Sequence, residues 1–495
     1  MHIGMLTDYV SVEFTNGPAL ASQAFRRNME HRGHRVCLVG PRPFEREAEG
    51  DAMLFKSLRF RQYASTALAL PWPRRNFTAC PPFDVIHAHS NSLMMHWALM
   101  MRQLHGIPCL QTNTIHLPSF AHHAVPDSLL ENRITKPIFD FLTRYAERRF
   151  CNIYAQSDGL IVQCQGLVDY WRNIGLDVPL HIIPRPIDLR TFDRPVGDDP
   201  FHPSFRRGGR LLVACRHAGE KSLDQLLRIF ARHVLPQRAD ASLTLIGDGP
   251  VHTSLKKLSK RLGINHRVDF VGEKPQRDLP SWYAYGDIFA YPSMSETFGQ
   301  VTSEALWMGL PVVGFNDGMG VAYQVKNEQN GLLVEPGPDG EERFGQALMR
   351  LLNDRRLRMR FSDTARRMQR ELVHPEVVYK LYENAYAVAK EHIAANPPSA
   401  REKGKLGKRW QMLKDHLWPW VWKHAVLSAM GSVPANYKPK TEVPFDAAPE
   451  MLPELAVPEL LPAGPRLRVV GRGDGLGDMV PGEFSLSTPR RFQAR

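Results

Sequence analysis

The sequence predicts an α/β protein built from two consecutive Rossmann-like units whose parallel sheets face a cleft. Short apolar runs alternate with longer amphipathic stretches, and this alternation restarts after residue 209. Strands that alternate with helices are typical of parallel sheets covered on both faces. The chain has 495 residues, 43% of them apolar, which is enough hydrophobic material for two large cores.

The first unit is predicted to cover residues 1–190. Its first helix, residues 18–32, ends at Gly33. The apolar runs that we interpret as its strands are residues 3–7, 34–39, 84–87, 108–112, 159–162 and 182–184. A segment rich in Asp, Pro, Arg and Gly follows at residues 193–209 and indicates a domain boundary.

The second unit is predicted to cover residues 191–395. Helices are expected at residues 223–233 and 251–262, and residues 339–395 have a helical pattern throughout. The runs that we interpret as strands are residues 210–215, 242–246, 268–271, 288–291, 311–314 and 332–334. Ligands of open α/β sheets bind at the carboxyl ends of the strands, so we expect the site in the cleft.

The character of the sequence changes after residue 395. Residues 396–432 form a basic, tryptophan-rich amphipathic segment, and residues 433–495 a proline-rich tail that is expected to be disordered. Residues 401–424 carry seven Lys and Arg against two acids, together with four of the nine tryptophans. This combination favours binding to an anionic membrane. The alternative is a helix that docks its tryptophan face on the first unit.

The charge and cysteine content narrow the possible partners and compartments. The net charge of +12 indicates an anionic partner, such as a nucleotide phosphate, an acidic lipid surface or nucleic acid. No nucleic-acid-binding motif accompanies the charge, so no nucleic acid is expected. The six cysteines include no C-x-x-C pair, which favours a reducing compartment. Neither a signal-peptide pattern nor an apolar run of about 18 residues occurs, and we expect a cytoplasmic protein.

The most informative segment runs from Ser295 to Val313. Glu296 follows a predicted strand, and Glu304 lies about one turn into the next helix. Gly299 opens that helix, whose first N–H groups and dipole suit a phosphate. A carboxylate, an anion-binding helix start and a second carboxylate together suit a nucleotide sugar. For two glutamates alone, a capped surface helix with both side chains in solvent would be the favoured interpretation.

This segment resembles the E-x7-E motif of retaining glycosyltransferases of family 4, which have the GT-B fold. The resemblance continues through Gly309-Leu310-Pro311-Val312-Val313 and residues 330–334. It implies that Glu296 contacts the donor sugar and that Glu304 contacts the nucleotide ribose. It also places Phe298, Gly299 and Gln300 in the donor site.

Two further segments carry the same resemblance. Arg216 and Lys221 stand after a predicted strand in a motif similar to the family's G-R-L-x-x-E-K-x-L-D, with Cys215 in place of its glycine. The resemblance implies that both cations bind the diphosphate, where they would neutralise the charge on the departing nucleotide. Glu273 and Lys274 match a family loop near the nucleotide base.

The acceptor half resembles the branch of the family that glycosylates diacylglycerol-type lipids. The first strand runs into Thr7-Asp8-Tyr9, and Asn16-Gly17 follows, where Gly17 would let the backbone approach the donor phosphates. The pair His87 and His89 allows a metal site, but a structural role at the end of the sheet is the favoured interpretation. The histidine that faces the acceptor in that branch is replaced by Thr114, and His116 is expected to take a related role.

The resemblance implies a hexosyltransferase that moves a sugar from a UDP- or GDP-sugar to an acceptor hydroxyl with retention of configuration. No D-x-D motif lies at a strand end, so no metal and no cofactor are expected, and Arg216, Lys221 and the Gly299 helix would supply the electrostatics. The favoured acceptor is a membrane lipid, with the protein peripheral on the inner face of the cytoplasmic membrane. The alternatives are a soluble sugar or polysaccharide-intermediate acceptor, and a non-catalytic nucleotide-sugar-binding or scaffold protein.

Overall fold

The computed structural model describes most of the first 398 residues. The described ranges are residues 1–8, 10, 17–43, 50–59, 67–69, 80–89, 94–113, 116–118, 135–294 and 296–398. The predicted basic segment and proline-rich tail lie outside the described residues from position 399 on, as does Thr114. The six cysteines are all free.

The first unit contains a seven-stranded parallel sheet with the order β3-β2-β1-β6-β7-β8-β9, and a two-stranded antiparallel pair, β4 and β5. Its elements are β1 (His2–Leu6), α1 (Gly17–His31), β2 (Arg35–Pro41), β3 (Ala52–Phe55), β4 (Ser57–Arg59), β5 (Ala67–Ala69), β6 (Val85–Ala88), α2 (Met94–His105), β7 (Cys109–Thr112), α3 (Thr135–Tyr154), β8 (Gly159–Val162), α4 (Gln165–Ile174) and β9 (Leu180–Ile182). The inner strands β6, β7 and β8 are buried along their whole length, as continuous apolar runs in parallel sheets should be.

The second unit contains a six-stranded parallel sheet with the order β12-β11-β10-β13-β14-β15. Its elements are α5 (Leu189–Phe192), β10 (Arg210–Ala214), α6 (Leu223–Ile229), β11 (Ser242–Ile246), α7 (His252–Arg261), β12 (Val268–Gly272), α8 (Leu279–Tyr285), β13 (Ile288–Tyr291), α9 (Gln300–Trp307), β14 (Val312–Phe315), α10 (Gly320–Gln324) and β15 (Gly331–Val334). The strand order reverses between β10 and β13, and a crevice opens at the carboxyl ends of these two strands. The predicted fold class, two Rossmann-like parallel sheets, is confirmed.

Three helices complete the described chain, and they pack on different units. They are α11 (Gly340–Asn353), α12 (Arg355–Val373) and α13 (Pro375–Ala395). Apolar side chains of α11 and α12, such as Phe344 and Phe361, belong to the core of the second unit. Helix α13 instead joins the core that contains β1 and β2 of the first unit. The chain therefore crosses between the units twice.

Polar contacts fasten α13 to the first unit. The guanidinium of Arg32 donates two hydrogen bonds to the carboxylate of Glu383, at 3.0 and 2.9 Å. His87, which is fully buried, has its Nδ1 2.8 Å from the Tyr386 hydroxyl and its Nε2 2.7 Å from the Thr112 hydroxyl. Both ring nitrogens of His87 are therefore occupied by structural partners. In the part of the chain that the structure describes, no helix is long and apolar enough to cross a membrane.

Candidate active site

The carboxylate of Glu296 is the centre of a compact cluster at the carboxyl end of β13. Its Oε1 accepts hydrogen bonds from Lys221 Nζ at 2.5 Å, from the Tyr291 hydroxyl at 2.5 Å and from the Ser293 hydroxyl at 2.9 Å. Lys221 comes from the turn after β10, the strand adjacent to β13. The reversal of strand order thus brings together two residues that lie 75 positions apart.

The pair formed by Lys221 and Glu296 is charged on both sides. The two side chains are only 17% and 13% exposed. Burial raises the pKa of Glu296, but the charge and hydrogen bond of Lys221 and the two hydroxyls outweigh it and leave the pKa below its usual value. Burial lowers the pKa of Lys221, but Glu296 outweighs it and leaves the pKa raised. Each group therefore holds the other in its ionised form.

Glu304 occupies a different environment, although it lies only eight residues further along the chain. It is 3% exposed on α9, where Oε2 accepts from the Tyr283 hydroxyl at 2.9 Å and Oε1 accepts from the Gln276 amide at 3.1 Å. Among the described residues no cation pairs with it. Burial raises its pKa to about 7, because two neutral hydrogen-bond donors compensate the lost hydration only in part.

The start of α9 is held in place by hydrogen bonds to backbone carbonyls of the loop that precedes it. Gly299 precedes the helix with a φ of 79°, in the left-handed region that glycine adopts without strain. The side-chain amide of Gln324 donates to the carbonyl of Phe298 and, at 3.2 Å, to that of Gly299. The N–H of Gly320 donates to the carbonyl of Glu296 at 2.8 Å. The first N–H groups of α9, from Gln300 and Val301, lack an intrahelical acceptor.

A second layer of buried amides supports Gln324. The side-chain amide of Gln369, on α12, donates to Gln324 Oε1 at 3.1 Å and to the Ser303 hydroxyl at 2.7 Å. Gln324 and Gln369 are 2% and 1% exposed. Neither glutamine could be predicted from the sequence. Gln324 lies 26 residues after Phe298 and Gln369 lies 66 residues after Ser303, so no local motif connects them to the loop. The spacing of Ser293, three residues before Glu296, is a signal that could have been used.

The other predicted donor residues lie around this cluster. Phe298 is buried, and Gln300 is half-buried as the first residue of α9. Arg216 is exposed just after β10, where its guanidinium has no hydrogen-bonding partner among the described residues. Glu273 and Lys274 are exposed directly after β12. The roles predicted for these residues toward a nucleotide stay predictions.

The acceptor residues are placed in the first unit. Gly17 is the first residue of α1, and its predicted role toward the donor phosphates stays a prediction. The ring of His116 packs edge-on against Tyr170 of α4, with 4.8 Å between centroids, and burial lowers its pKa to about 4. His116 is therefore held neutral beside α4. Its predicted role toward the acceptor, in place of Thr114, stays a prediction.

No cluster of three or more His, Cys, Asp or Glu side chains that could hold a metal ion occurs within the described ranges. The ammonium of Lys221 and the start of α9 lie beside Glu296, and Arg216 follows the adjacent strand β10. These are the groups that the sequence analysis expected to act on a diphosphate.

Comparison with protein families identifies both halves of the chain. Residues 16–191 match the family described as Glycosyltransferase Family 4, and residues 203–368 match the family described as Glycosyl transferases group 1. The two matches follow the two units and include Lys221, Glu296 and Glu304. They also include the acceptor-side residues Gly17 and His116.

Characterised relatives extend across both units. A sulfoquinovosyl transferase of Arabidopsis thaliana is 27% identical over 70% of this chain and 65% of its own length. An alpha-monoglucosyldiacylglycerol synthase of Streptococcus pneumoniae is 25% identical over 63% of this chain and 70% of its own length. The chain thus spans about two-thirds of the length of these relatives.

Solved structures share the fold. Sucrose-phosphate synthase from Thermosynechococcus elongatus matches with a TM-score of 0.60 and 18% identity, over 78% of this chain and 99% of that protein. Anabaena HepE in complex with UDP-glucose matches with a TM-score of 0.54 and 16% identity, over 78% of this chain and all of that protein. Both family models are of glycosyltransferases. The chain therefore belongs to the family 4 glycosyltransferases and has their GT-B fold.

Proposed function

We propose that this protein transfers a sugar from a nucleoside diphosphate sugar to a hydroxyl of a membrane lipid, with retention of configuration and without a metal. The observation that carries the proposal is the buried ion pair of Lys221 and Glu296 beside the start of α9, at the switch point of the second sheet. A carboxylate next to a cation and free backbone N–H groups suits a sugar joined to a diphosphate.

In the proposed reaction, charged groups of the second unit bind the two parts of the donor, the diphosphate and the sugars. Lys221, Arg216 and the N–H groups at the start of α9 stabilise the negative charge that develops on the departing diphosphate. Glu296 binds hydroxyls of the donor sugar, and Glu304 binds those of the ribose. The side-chain cations supply the positive field that a divalent cation supplies in other transferases, so metal-independent transfer is expected.

Retention follows from a front-face substitution. The bond between the anomeric carbon and the diphosphate oxygen breaks, and the bond to the acceptor oxygen forms on the same face. The departing phosphate oxygen accepts the proton of the acceptor hydroxyl, so no side-chain base is required. Closure of the two units over the cleft would exclude water and limit hydrolysis.

A lipid acceptor is supported by the names of the relatives, one of which is a diacylglycerol-linked sugar synthase. A described surface also favours a membrane. On α3, the apolar side chains of Ile138, Phe141 and Tyr145 are 54%, 63% and 37% exposed and lie on one face. The same helix carries Lys136 and three arginines, at positions 144, 148 and 149, against two acids. Exposed apolar side chains among basic ones suit the surface of an anionic bilayer.

The nucleotide is tested by thermal stabilisation with a panel of UDP-, GDP- and ADP-sugars in the presence of EDTA. A ligand that binds the native state raises its stability with the logarithm of the ligand concentration. We expect one sugar nucleotide to stabilise the wild type, and Lys221→Met to lose most of that shift. Arg350→Met, at an exposed pair with Glu328, is the matched control and should keep the shift. If every nucleotide leaves the melting temperature unchanged, the proposed function is wrong.

The membrane is tested by flotation with vesicles. The protein should float with phosphatidylglycerol-containing vesicles and not with phosphatidylcholine alone, and Phe141→Asp should weaken flotation. Met359→Asp replaces a side chain that is 58% exposed on α12 and serves as the matched control. Equal flotation of Phe141→Asp and wild type would exclude α3 as the contact surface. Full transfer to a soluble sugar without vesicles would favour the soluble acceptor.

A further inference from the structure

Arg185 has a rigid position in the segment that joins the two units. It follows β9 between Pro184 and Pro186, whose rings restrict the backbone on both sides. The N–H of Ile183 donates to the Val162 carbonyl at 2.8 Å, and the N–H of Ile187 donates to the Val373 carbonyl at 3.0 Å. Arg185 is therefore fixed at the carboxyl edge of the first sheet.

The guanidinium of Arg185 is half-buried and has no partner in the part of the chain that the structure describes. Among the described residues, no carboxylate and no other hydrogen-bond acceptor contacts this guanidinium. By contrast, Arg102, which is 12% exposed, forms a bidentate ion pair with the buried Asp158. Burial lowers the pKa of Arg185, and Tyr382 and Glu296 lie within electrostatic range of it. A guanidinium that loses part of its hydration without gaining an anion is destabilised, and an anionic ligand would offset that cost.

Glu296 does not fill that role. Its Oε1 already accepts from Lys221, Tyr291 and Ser293, and its negative charge is compensated by the ammonium of Lys221. The charge of Arg185 is therefore not compensated by any described residue and points to an anion that enters with a ligand.

His89 presents a second unsatisfied group at the same edge of the first sheet. It follows β6, next to β1, where the order of the first sheet reverses. Its N–H donates to the Leu6 carbonyl at 2.8 Å, and its ring lies 4.6 Å from that of Phe25 and 6.3 Å from that of Tyr382. The ring nitrogen Nε2 is buried and has no hydrogen-bond partner within the described ranges. Burial, together with the charge of Arg185, lowers the pKa of His89 to about 3 and keeps the imidazole neutral.

We propose that Arg185 and His89 form an anion-binding subsite on the first unit's side of the cleft, and that its ligand is a phosphate group carried by the acceptor. Arg185 supplies a charge-assisted, two-pronged contact, and His89 donates from Nε2. The acceptor is the source because both residues belong to the first unit, whereas Arg216, Lys221 and the start of α9 belong to the second. The inference rests on the proposed function and narrows its acceptor to an anionic one.

The subsite is tested by calorimetric titration of sn-glycerol 3-phosphate into protein that is saturated with UDP, or with GDP if that nucleotide stabilises the wild type. We expect glycerol phosphate to bind the wild type and glycerol not to bind. Arg185→Gln should weaken glycerol phosphate binding about tenfold or more, the effect of losing a charge-assisted hydrogen bond, and should leave nucleotide affinity within about twofold. Arg185→Lys should retain part of the affinity.

The control is Arg190→Gln, an exposed arginine of the same connecting segment, which should bind glycerol phosphate as the wild type does. Two results would overturn the inference. One is equal loss of nucleotide and glycerol phosphate affinity in Arg185→Gln, which would assign the arginine to the donor diphosphate. The other is a nucleotide-saturated wild type that does not bind glycerol phosphate. A wild type that no nucleotide sugar of the UDP, GDP and ADP panel stabilises contradicts the proposed function instead.

Discussion

The ammonium of Lys221 lies 2.5 Å from Oε1 of Glu296, the same oxygen that receives the hydroxyls of Tyr291 and Ser293. Three donors on one oxygen fix the direction of the carboxylate. Among the described residues none donates to Oε2. Oε2 of Glu296 and the ammonium of Lys221 therefore lie next to each other. The proposed function requires this arrangement, with Oε2 on a sugar hydroxyl and the ammonium on the adjoining phosphate.

Replacement of Lys221 by Met should remove the counter-charge of a buried carboxylate. We expect the pKa of Glu296 to rise above its usual range and sugar transfer to fall about 100-fold or more. Transfer rates measured against pH check both effects. Arg350→Met should transfer at the wild-type rate. Near-normal turnover of Lys221→Met would show that the pair of Lys221 and Glu296 is not the active site.

Replacement of Gln324 by Ala should loosen the loop that carries Glu296. The carbonyls of Phe298 and Gly299 would lose a buried donor, which costs about 1–3 kcal/mol in the free energy of unfolding. We expect a lower kcat with an unchanged dissociation constant for free UDP, because the loop positions the sugar rather than the base. Gln346→Ala removes a glutamine whose amide binds Glu342 on the surface and should change neither quantity. An unchanged kcat in Gln324→Ala would show that the loop holds its shape without it.

The fold could be predicted well from the sequence because buried parallel strands are continuous apolar runs. The sheet strands predicted in the second unit all occur, with bounds that differ by at most one residue. Strands β3, β4 and β5 were missed, since β3 lies half-buried at the edge of its sheet and β4 and β5 form a short antiparallel pair outside it. The attachment of α13 to the first unit could not be predicted either. A helical pattern records that one face is apolar, and it does not record which surface covers that face.

The site could be predicted only where it is local. The segment with Glu296, Gly299 and Glu304 predicted a donor site because it is continuous in sequence and resembles the family's E-x7-E motif. The roles of Arg185 and Gln324 depend on residues of other elements. The guanidinium of Arg185 has no partner among the described residues, and the amide of Gln324 is buried against the loop. No periodicity or short motif reports such contacts, so only the three-dimensional structure reveals them.

Glu304 should make the stability of the protein fall as the pH rises. Its pKa is raised to about 7, so between its ordinary value near 4.5 and 7 the native state holds a proton that the unfolded chain releases. The free energy of unfolding should therefore decrease across this window by about 3 kcal/mol and level off above it. Urea unfolding of the wild type and Glu304→Gln at several pH values checks this. A difference between the two proteins that does not vary with pH would contradict it.

Replacement of Tyr386 by Phe should destabilise the first unit without affecting catalysis. The change leaves Nδ1 of the fully buried His87 without its partner, which costs about 1–3 kcal/mol. We expect a lower urea midpoint and unchanged kcat and KM. Tyr285→Phe, at a side chain that is 38% exposed, is the control and should match the wild type in both. A wild-type midpoint for Tyr386→Phe would show that water replaces the hydroxyl.

The packing of α13 on the first sheet also determines the order in which the two units finish folding during synthesis. The core around β1 and β2 includes Tyr379, Tyr382, Tyr386 and Ala389, so it stays open until nearly 400 residues have been synthesised. The second sheet, whose core ends at Val373, can close while the nascent chain still tethers α13 in the exit tunnel. The half of the enzyme that is made first is thus completed last, opposite to the usual order for multidomain chains.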